Sequence, residues 1–139
     1  MKGRIQFITS AILVLLFSYT AFSKWFDRRR FAYEMHNQPL PGPITDMLIW
    51  GLPPLEMTIV LLLLFTRTRW LGFILALGLM WHFMVYNILI LLGAFHRVPC
   101  ACGGVISLLN WREHLVLNIG MVGITIWGIW SMRKTKQHA

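Results

Sequence analysis

Two cysteines one residue apart are the most reactive feature of this sequence. Both lie in the segment VPCACGG, residues 98–104, as Cys100 and Cys102. Thiols at this spacing can close a disulfide when the backbone turns, because bonded cysteines have Cα atoms only about 4.4–6.8 Å apart. The ring would be small and strained and would restrict almost no loop entropy, so the spacing suits exchange better than stabilisation. Gly103 and Gly104 would let a partner sulfur approach closely. Two reduced thiols in a turn are the alternative interpretation.

Metal binding is a second use for the same thiols. The four candidate ligands are His96, Cys100, Cys102 and His114. Such nitrogen and sulfur ligands suit zinc or Cu(I). The C-x-C spacing is tighter than the C-x₂₋₄-C spacing of zinc sites, however, and His114 begins an apolar helix-length run. The spacing therefore favours exchange chemistry, and we predict no metal.

Positive charge flanks the cysteines on both sides. Arg97 precedes them, and the start of the last apolar run, near Arg112 to His114, follows them. Basic side chains and a helix N-terminus stabilise a thiolate. We therefore expect Arg97 and His114 to support the chemistry of the cysteines.

Glu56 is an acidic residue in the middle of an apolar run that extends from about Ile44 to Thr66. An ionisable group at membrane depth is costly unless it is paired or neutral, which makes it a candidate functional residue. Pro53 and Pro54 precede it and are expected to break or kink the helix. The structural alternative is a hydrogen bond that locks helices together. Its candidate partners are Lys24, Asn87 and Asn118.

Two further polar pairs have helical spacing. His82 and Tyr86 are four residues apart and share a helix face, as do His114 and Asn118. Either pair could relay protons or line a quinone site, so a quinone is the cofactor that the sequence leaves open. Hydrogen bonding between helices is the commoner use of such residues, and we favour it here.

Four apolar runs are long enough to cross a bilayer, which takes about 20 residues. They cover residues 5–23, 44–66, 70–95 and 113–132 approximately. Only 13% of the chain is charged, against about a quarter in soluble domains. No period-two alternation indicates a β-barrel. The sequence therefore predicts an all-α polytopic membrane protein, a four-transmembrane-helix bundle in one domain over residues 1–139.

The first run has an alternative interpretation as a signal peptide. Lys2 and Arg4 precede it, and Ala21-Phe22-Ser23 resembles a cleavage site. We favour a membrane span.

The connections between the runs differ in chemistry. Residues 24–36 mix aromatic and charged side chains, as an interfacial amphipathic helix does. Residues 67–69 form a tight turn. Residues 96–112 form a longer connection that carries the cysteines.

The net charge of +8 could indicate nucleic acid. The basic residues lie instead at the ends of apolar runs, where they contact lipid headgroups. We therefore predict a lipid bilayer as partner and no nucleic acid.

Four spans place both termini on one side of the membrane. That side carries slightly more Lys and Arg: Lys2, Arg4, Arg67, Arg69, Arg133, Lys134 and Lys136. The positive-inside rule then favours cytoplasmic termini. The cysteines would face the periplasm, where disulfides persist.

The order of these features resembles the MauE/DoxX-like family of redox-associated membrane proteins, which includes proteins of methylamine utilisation. Lys24 closes the first run, Pro53 to Glu56 form P-x-x-E in the second, C-x-C-G precedes the fourth, and Asn118 lies within it. The resemblance covers about residues 5–130, and the C-x-C-G loop is its most specific part. Family members commonly read Cys-Gly-Cys-Phe-Gly where this chain reads Cys-Ala-Cys-Gly-Gly, which indicates a different subfamily.

The resemblance implies a bundle similar in outline to DsbB and vitamin K epoxide reductase. It also implies a bacterial inner-membrane protein that exchanges thiol and disulfide equivalents with a periplasmic thioredoxin-like or thiol substrate protein. The family role is methylamine utilisation and disulfide maturation, which makes the chain a candidate thiol–disulfide oxidoreductase.

DsbB-type proteins use two cysteine pairs, whereas this chain has one. Either the C-x-C pair meets an electron acceptor directly, or a partner supplies the second pair. The alternative function is a non-catalytic membrane scaffold or assembly subunit whose loop docks a partner.

Overall fold

The computed structural model describes residues 1–94 and 111–137. They form five helices: α1 Lys2–Phe26, α2 Arg28–His36, α3 Gly42–Leu64, α4 Arg69–Leu91 and α5 Trp111–Gln137. The described part of the chain contains no strand. All but α2 are long and apolar enough to cross a membrane. The prediction of an all-α polytopic membrane protein is confirmed.

The four long helices pack as a bundle. α1 contacts α3 and α5, and α4 contacts the same two helices from the other side. Their shared core is apolar: Leu13, Phe17, Ile59, Val60, Leu63, Phe73, Ala76, Met80, Met121, Val122 and Ile129. Large apolar side chains also cover the outside of every long helix, among them Leu15, Leu61, Trp81 and Val116. A surface of this kind faces lipid rather than water.

Of the predicted amphipathic segment, residues 24–36, the part from Arg28 to His36 forms α2, which packs against the first half of α3. Residues 24–26 belong to the last turn of α1. Asp27 begins the helix by accepting a hydrogen bond from the Arg30 backbone N–H at 3.3 Å. Phe31 and Met35 are buried against Ile49 and Leu52 of α3. The residues on the opposite face, including Arg28, Arg29 and Tyr33, are exposed. One face of α2 is therefore tied to the bundle, and the other is free to contact headgroups.

The helix α3 continues through Pro53 and Pro54, so the predicted break is wrong. Each proline removes one backbone N–H, so the bonds to the carbonyls of Ile49 and Trp50 are lost, and each ring crowds the same carbonyl. Leu52, Pro53 and Glu56 are buried on one face of the helix. This packing holds the helix together across the missing bonds.

The helix α4 ends at Leu91, before the apolar run does. Gly93 has a positive φ of 71°, which a residue without a Cβ adopts at little cost. Its N–H bonds to Ile90 O at 3.1 Å, and the Ala94 N–H bonds to Leu89 O at 3.0 Å. This is the Schellman pattern of a helix C-terminus.

Gly128 lets α5 approach α4 and α1. A Cβ added there would lie 2.8 Å from Phe73 Cε1 and 3.0 Å from Thr9 Oγ1. We expect Gly128→Ala to destabilise the bundle by about 1–3 kcal/mol through overpacking. The matched control is Gly123→Ala, where a Cβ meets nothing within 4 Å and helix propensity improves. Thermal unfolding of both variants in one detergent tests this, and equal melting temperatures would contradict it.

Candidate functional site

A buried ion pair joins α1 to α3. Lys24 Nζ donates to Glu56 Oε1 at 2.6 Å, and the two side chains are 7% and 1% exposed. Of the three partners that the sequence suggested for Glu56, the one that binds it is therefore Lys24. Lys24 lies in the last turn of α1, and its ammonium passes 5.7 Å from the centre of the Phe31 ring on α2. The long lysine side chain thus turns back into the bundle to reach the carboxylate.

The depth of this pair follows from a contact near the other end of the bundle. There Thr9 of α1 and Phe73 of α4 both lie against Gly128 of α5. An α-helix rises about 1.5 Å per residue. Along α1, Thr20 is therefore about 15 Å from Thr9, and along α5, Asn118 is about 15 Å from Gly128. Thr20 and Asn118 therefore lie at nearly the same height.

The same reasoning places the remaining polar residues. Ser10 Oγ donates to Leu63 O at 3.1 Å, and Glu56 lies about 10 Å above Leu63 along α3. Asn87 and His114 lie about 21 Å above the Thr9 contact on α4 and α5, which is the height of Lys24 on α1. We call this group the polar layer: Thr20, Lys24, Glu56, Asn87, His114 and Asn118.

The members of the polar layer are buried or half-buried inside the bundle. Glu56, Asn87 and Asn118 are at most 3% exposed. The Thr20 hydroxyl lies beside the Glu56 carboxylate. The charge of Lys24 is close enough to act on the His114 imidazole. The layer therefore brings a cation, a carboxylate, an imidazole and amide groups together in an apolar bundle.

Glu56 and Asn118 each retain hydrogen-bonding capacity within the layer. Glu56 Oε2 and Asn118 Nδ2 are buried and have no protein hydrogen-bond partner in the described part of the chain. Buried polar atoms are nearly always satisfied in folded proteins. The first is an acceptor and the second a donor, so each can bind a further polar group.

The polar layer lies toward one end of the bundle, with Glu56, near the middle of α3, as its deepest member. α1 ends there, α3 begins there, α4 ends there and α5 begins there. The connection between α4 and α5 carries the cysteines and departs from this end. The predicted residues Arg97, Cys100 and Cys102 lie outside the described residues, as does His96. Of the predicted supporting residues, Lys24, Glu56, His114 and Asn118 all belong to the polar layer.

His82 and Tyr86, which share a face of α4, make unrelated contacts. His82 is exposed on α4, and its Nδ1 pairs with Gly78 O of the same helix at 2.7 Å. Tyr86 instead donates to Gln38 Oε1 in the connection between α2 and α3. Tyr86 therefore ties two parts of the fold together, which is the structural role favoured for this pair.

No group of three metal-ligating side chains lies together within residues 1–94 and 111–137. Three of the four metal ligands considered from the sequence, all but His114, fall outside these ranges. The metal site considered above thus gains no support from the described residues.

Sequence reasoning missed Thr20. The available signal was its position four residues before Lys24, which places both on one face of α1. A threonine hydroxyl within a helix commonly bonds to its own backbone, as this one does to Phe17 O at 3.1 Å. For that reason its spacing alone did not point to Glu56.

A comparison with known families matches residues 2–131 to the family described as methylamine utilisation protein MauE. No curated protein and no solved structure matches the chain. The family match extends over all four long helices and the connection that contains the cysteines. The chain is therefore a membrane protein of the MauE family, associated with methylamine utilisation.

Proposed function

We propose that this protein exchanges thiol and disulfide equivalents with a periplasmic partner through Cys100 and Cys102. The partner is a thioredoxin-like protein or a protein thiol substrate. In this proposal the chain is a single four-helix domain in the bacterial inner membrane. Its termini are cytoplasmic, and the C-x-C-G connection lies in the periplasm.

The observation that carries the proposal is the position of the polar layer. Buried ion pairs are seldom needed for stability, since apolar residues of similar size often stabilise a fold as well or better. Within a bilayer, ionisable groups mark functional sites by default. This layer lies at the end of the bundle where the connection with the two thiols begins and ends. Its placement supports a role in chemistry at that connection.

The exchange itself is balanced within the two proteins. A partner thiolate attacks one sulfur of the Cys100–Cys102 disulfide, the S–S bond breaks, and the other cysteine leaves as a thiolate. A second partner thiolate then attacks the mixed disulfide, which leaves a reduced pair here and an oxidised partner. The reverse exchange with another thiol–disulfide protein restores the starting state. Lys24, Glu56 and His114 offer groups near this end of the bundle that can hold or release the protons involved.

The proposal predicts both the redox state and the side of the cysteines. We expect a membrane-impermeant maleimide to label Cys100 and Cys102 in intact cells, and to label them more strongly after reduction. The control is Arg67→Cys in the Cys100→Ser/Cys102→Ser background, because Arg67 lies exposed at the opposite end of the bundle. It should react only after permeabilisation.

If Cys100 and Cys102 are labelled only after permeabilisation, the proposed orientation is wrong. If both cysteines are fully labelled without reductant in cells that contain all natural partners, they do not form the proposed disulfide. That second result would favour a scaffold whose loop docks a partner.

A further inference from the structure

A cleft of about 120 Å³ opens between α1, α2 and α3. It lies on the outer surface of the bundle, next to the polar layer. Its outer wall is formed by Trp25, Arg28, Trp50 and Pro54, which are exposed. Its floor includes Phe31 and Pro53, which are buried. The cleft therefore has apolar walls along most of its length and a cation at its α2 end.

The charge in the cleft is positive. Arg28 stacks on Trp50, with the guanidinium carbon 3.6 Å from the ring centre. No acidic side chain lines the cleft. Two neighbouring cations are neutralised, since Lys24 pairs with Glu56 and Arg30 with Glu34. Arg29 is exposed and does not line the cleft. Arg28 makes no such ion pair among the residues described, so its guanidinium can bind an anion.

The depth of the cleft matches the headgroup region. Trp25 and Trp50 are 60% and 66% exposed, and tryptophans of this kind concentrate at the boundary between headgroups and acyl chains. Arg28 lies at the start of α2, and Pro54 lies one helical turn deeper than Trp50 along α3. A ligand that fills the cleft thus has its anion at the α2 end and its apolar part against the prolines.

We propose that this cleft binds one anionic phospholipid, for which phosphatidylglycerol is the probe. The phosphate is held by Arg28. The first part of an acyl chain lies against Trp50 and Pro54. Lys24 of the polar layer also lines the cleft, but the proposal does not rest on the exchange chemistry.

Native mass spectrometry of the detergent-purified protein tests the proposal. We expect one phosphatidylglycerol to bind about tenfold more tightly than phosphatidylcholine, which lacks the net negative charge. Arg28→Gln should remove most of that preference. Arg28 is exposed, so the variant is expected to fold, and its melting temperature is recorded to check this. Arg133→Gln is the control, because Arg133 also lies over a tryptophan, Trp70, at the opposite end of the bundle.

Equal binding of the two lipids to the natural chain would overturn the proposal. An unchanged lipid preference in Arg28→Gln, or an equal loss in Arg133→Gln, would also overturn it. Competition with soluble glycerol 3-phosphate tests whether the bound phosphate belongs to a membrane lipid or to a free phosphate compound. If it displaces the lipid at similar concentrations, the site binds free phosphate compounds and not a membrane lipid.

Discussion

Replacement of Lys24 by alanine should destabilise the bundle by about 3–5 kcal/mol, since it leaves the Glu56 carboxylate buried without its cation. Glu56→Ala should cost a similar amount by stranding the ammonium of Lys24. The pair is almost inaccessible to water, with side chains 7% and 1% exposed, so solvent cannot replace the lost partner. Thermal unfolding in detergent and abundance in the membrane measure the loss.

The double variant Lys24→Met/Glu56→Leu separates stability from function. Apolar replacement of both partners of a buried pair is often neutral or stabilising, so the double variant should recover most of the stability lost in either single variant. We expect it to remain inactive if the polar layer serves the chemistry. A double-mutant cycle gives the coupling free energy directly.

An exposed ion pair provides the matched control. His36 Nε2 lies 3.6 Å from Asp46 Oδ1, and both side chains are more than half exposed. Asp46→Asn should change stability by less than about 1 kcal/mol. If Lys24→Ala changes stability no more than Asp46→Asn does, the buried pair is unimportant to the fold.

Loss of both thiols should abolish function without affecting the amount of protein. We expect Cys100→Ser/Cys102→Ser to fail completely to complement a deletion strain, because no sulfur remains to exchange. Its membrane abundance should match that of the natural chain, since a ring this small contributes little to stability through chain entropy. Ala101→Ser is the control in the same segment and should complement fully.

The single variants add a positive signal. Cys100→Ser or Cys102→Ser leaves one thiol that cannot be released by its neighbour, so a mixed disulfide with the partner should accumulate. Such an adduct would disappear on reduction and identify the partner by mass. Full complementation by the double variant at normal abundance would contradict the exchange mechanism and leave the scaffold interpretation.

The membrane spans could be predicted from the sequence because they depend on length and composition alone. The side of each helix that faces the core, and the side that faces lipid, could not be predicted. Lipid is as apolar as the bundle core, so Leu15, which is exposed, and Leu13, which is fully buried, have the same hydropathy. The hydrophobic contrast that orients a helix in a soluble protein is thus missing.

Polar side chains, unlike apolar ones, did indicate which side of a helix faces the core. Glu56 was expected inside because lipid does not accept a carboxylate, and it is 1% exposed. Its partner could not be chosen, since Lys24 lies on another helix and its reach depends on the relative height of α1 and α3. His82 and Tyr86 show the limit of spacing, because they share a helix and yet make unrelated contacts.

The apolar core beneath the polar layer has a consequence for bioenergetics. Leu13, Phe17, Ile59, Leu63 and Phe73 fill the bundle between the layer and the end at which α3 meets α4. The hydroxyls buried in this half of the bundle donate to backbone carbonyls, as Ser10 does to Leu63, Thr125 to Met121 and Ser131 to Gly128. Among the described residues, no ionisable side chain is buried there. The titratable groups of the polar layer therefore have no relay of buried titratable side chains that leads to the end at which α3 meets α4.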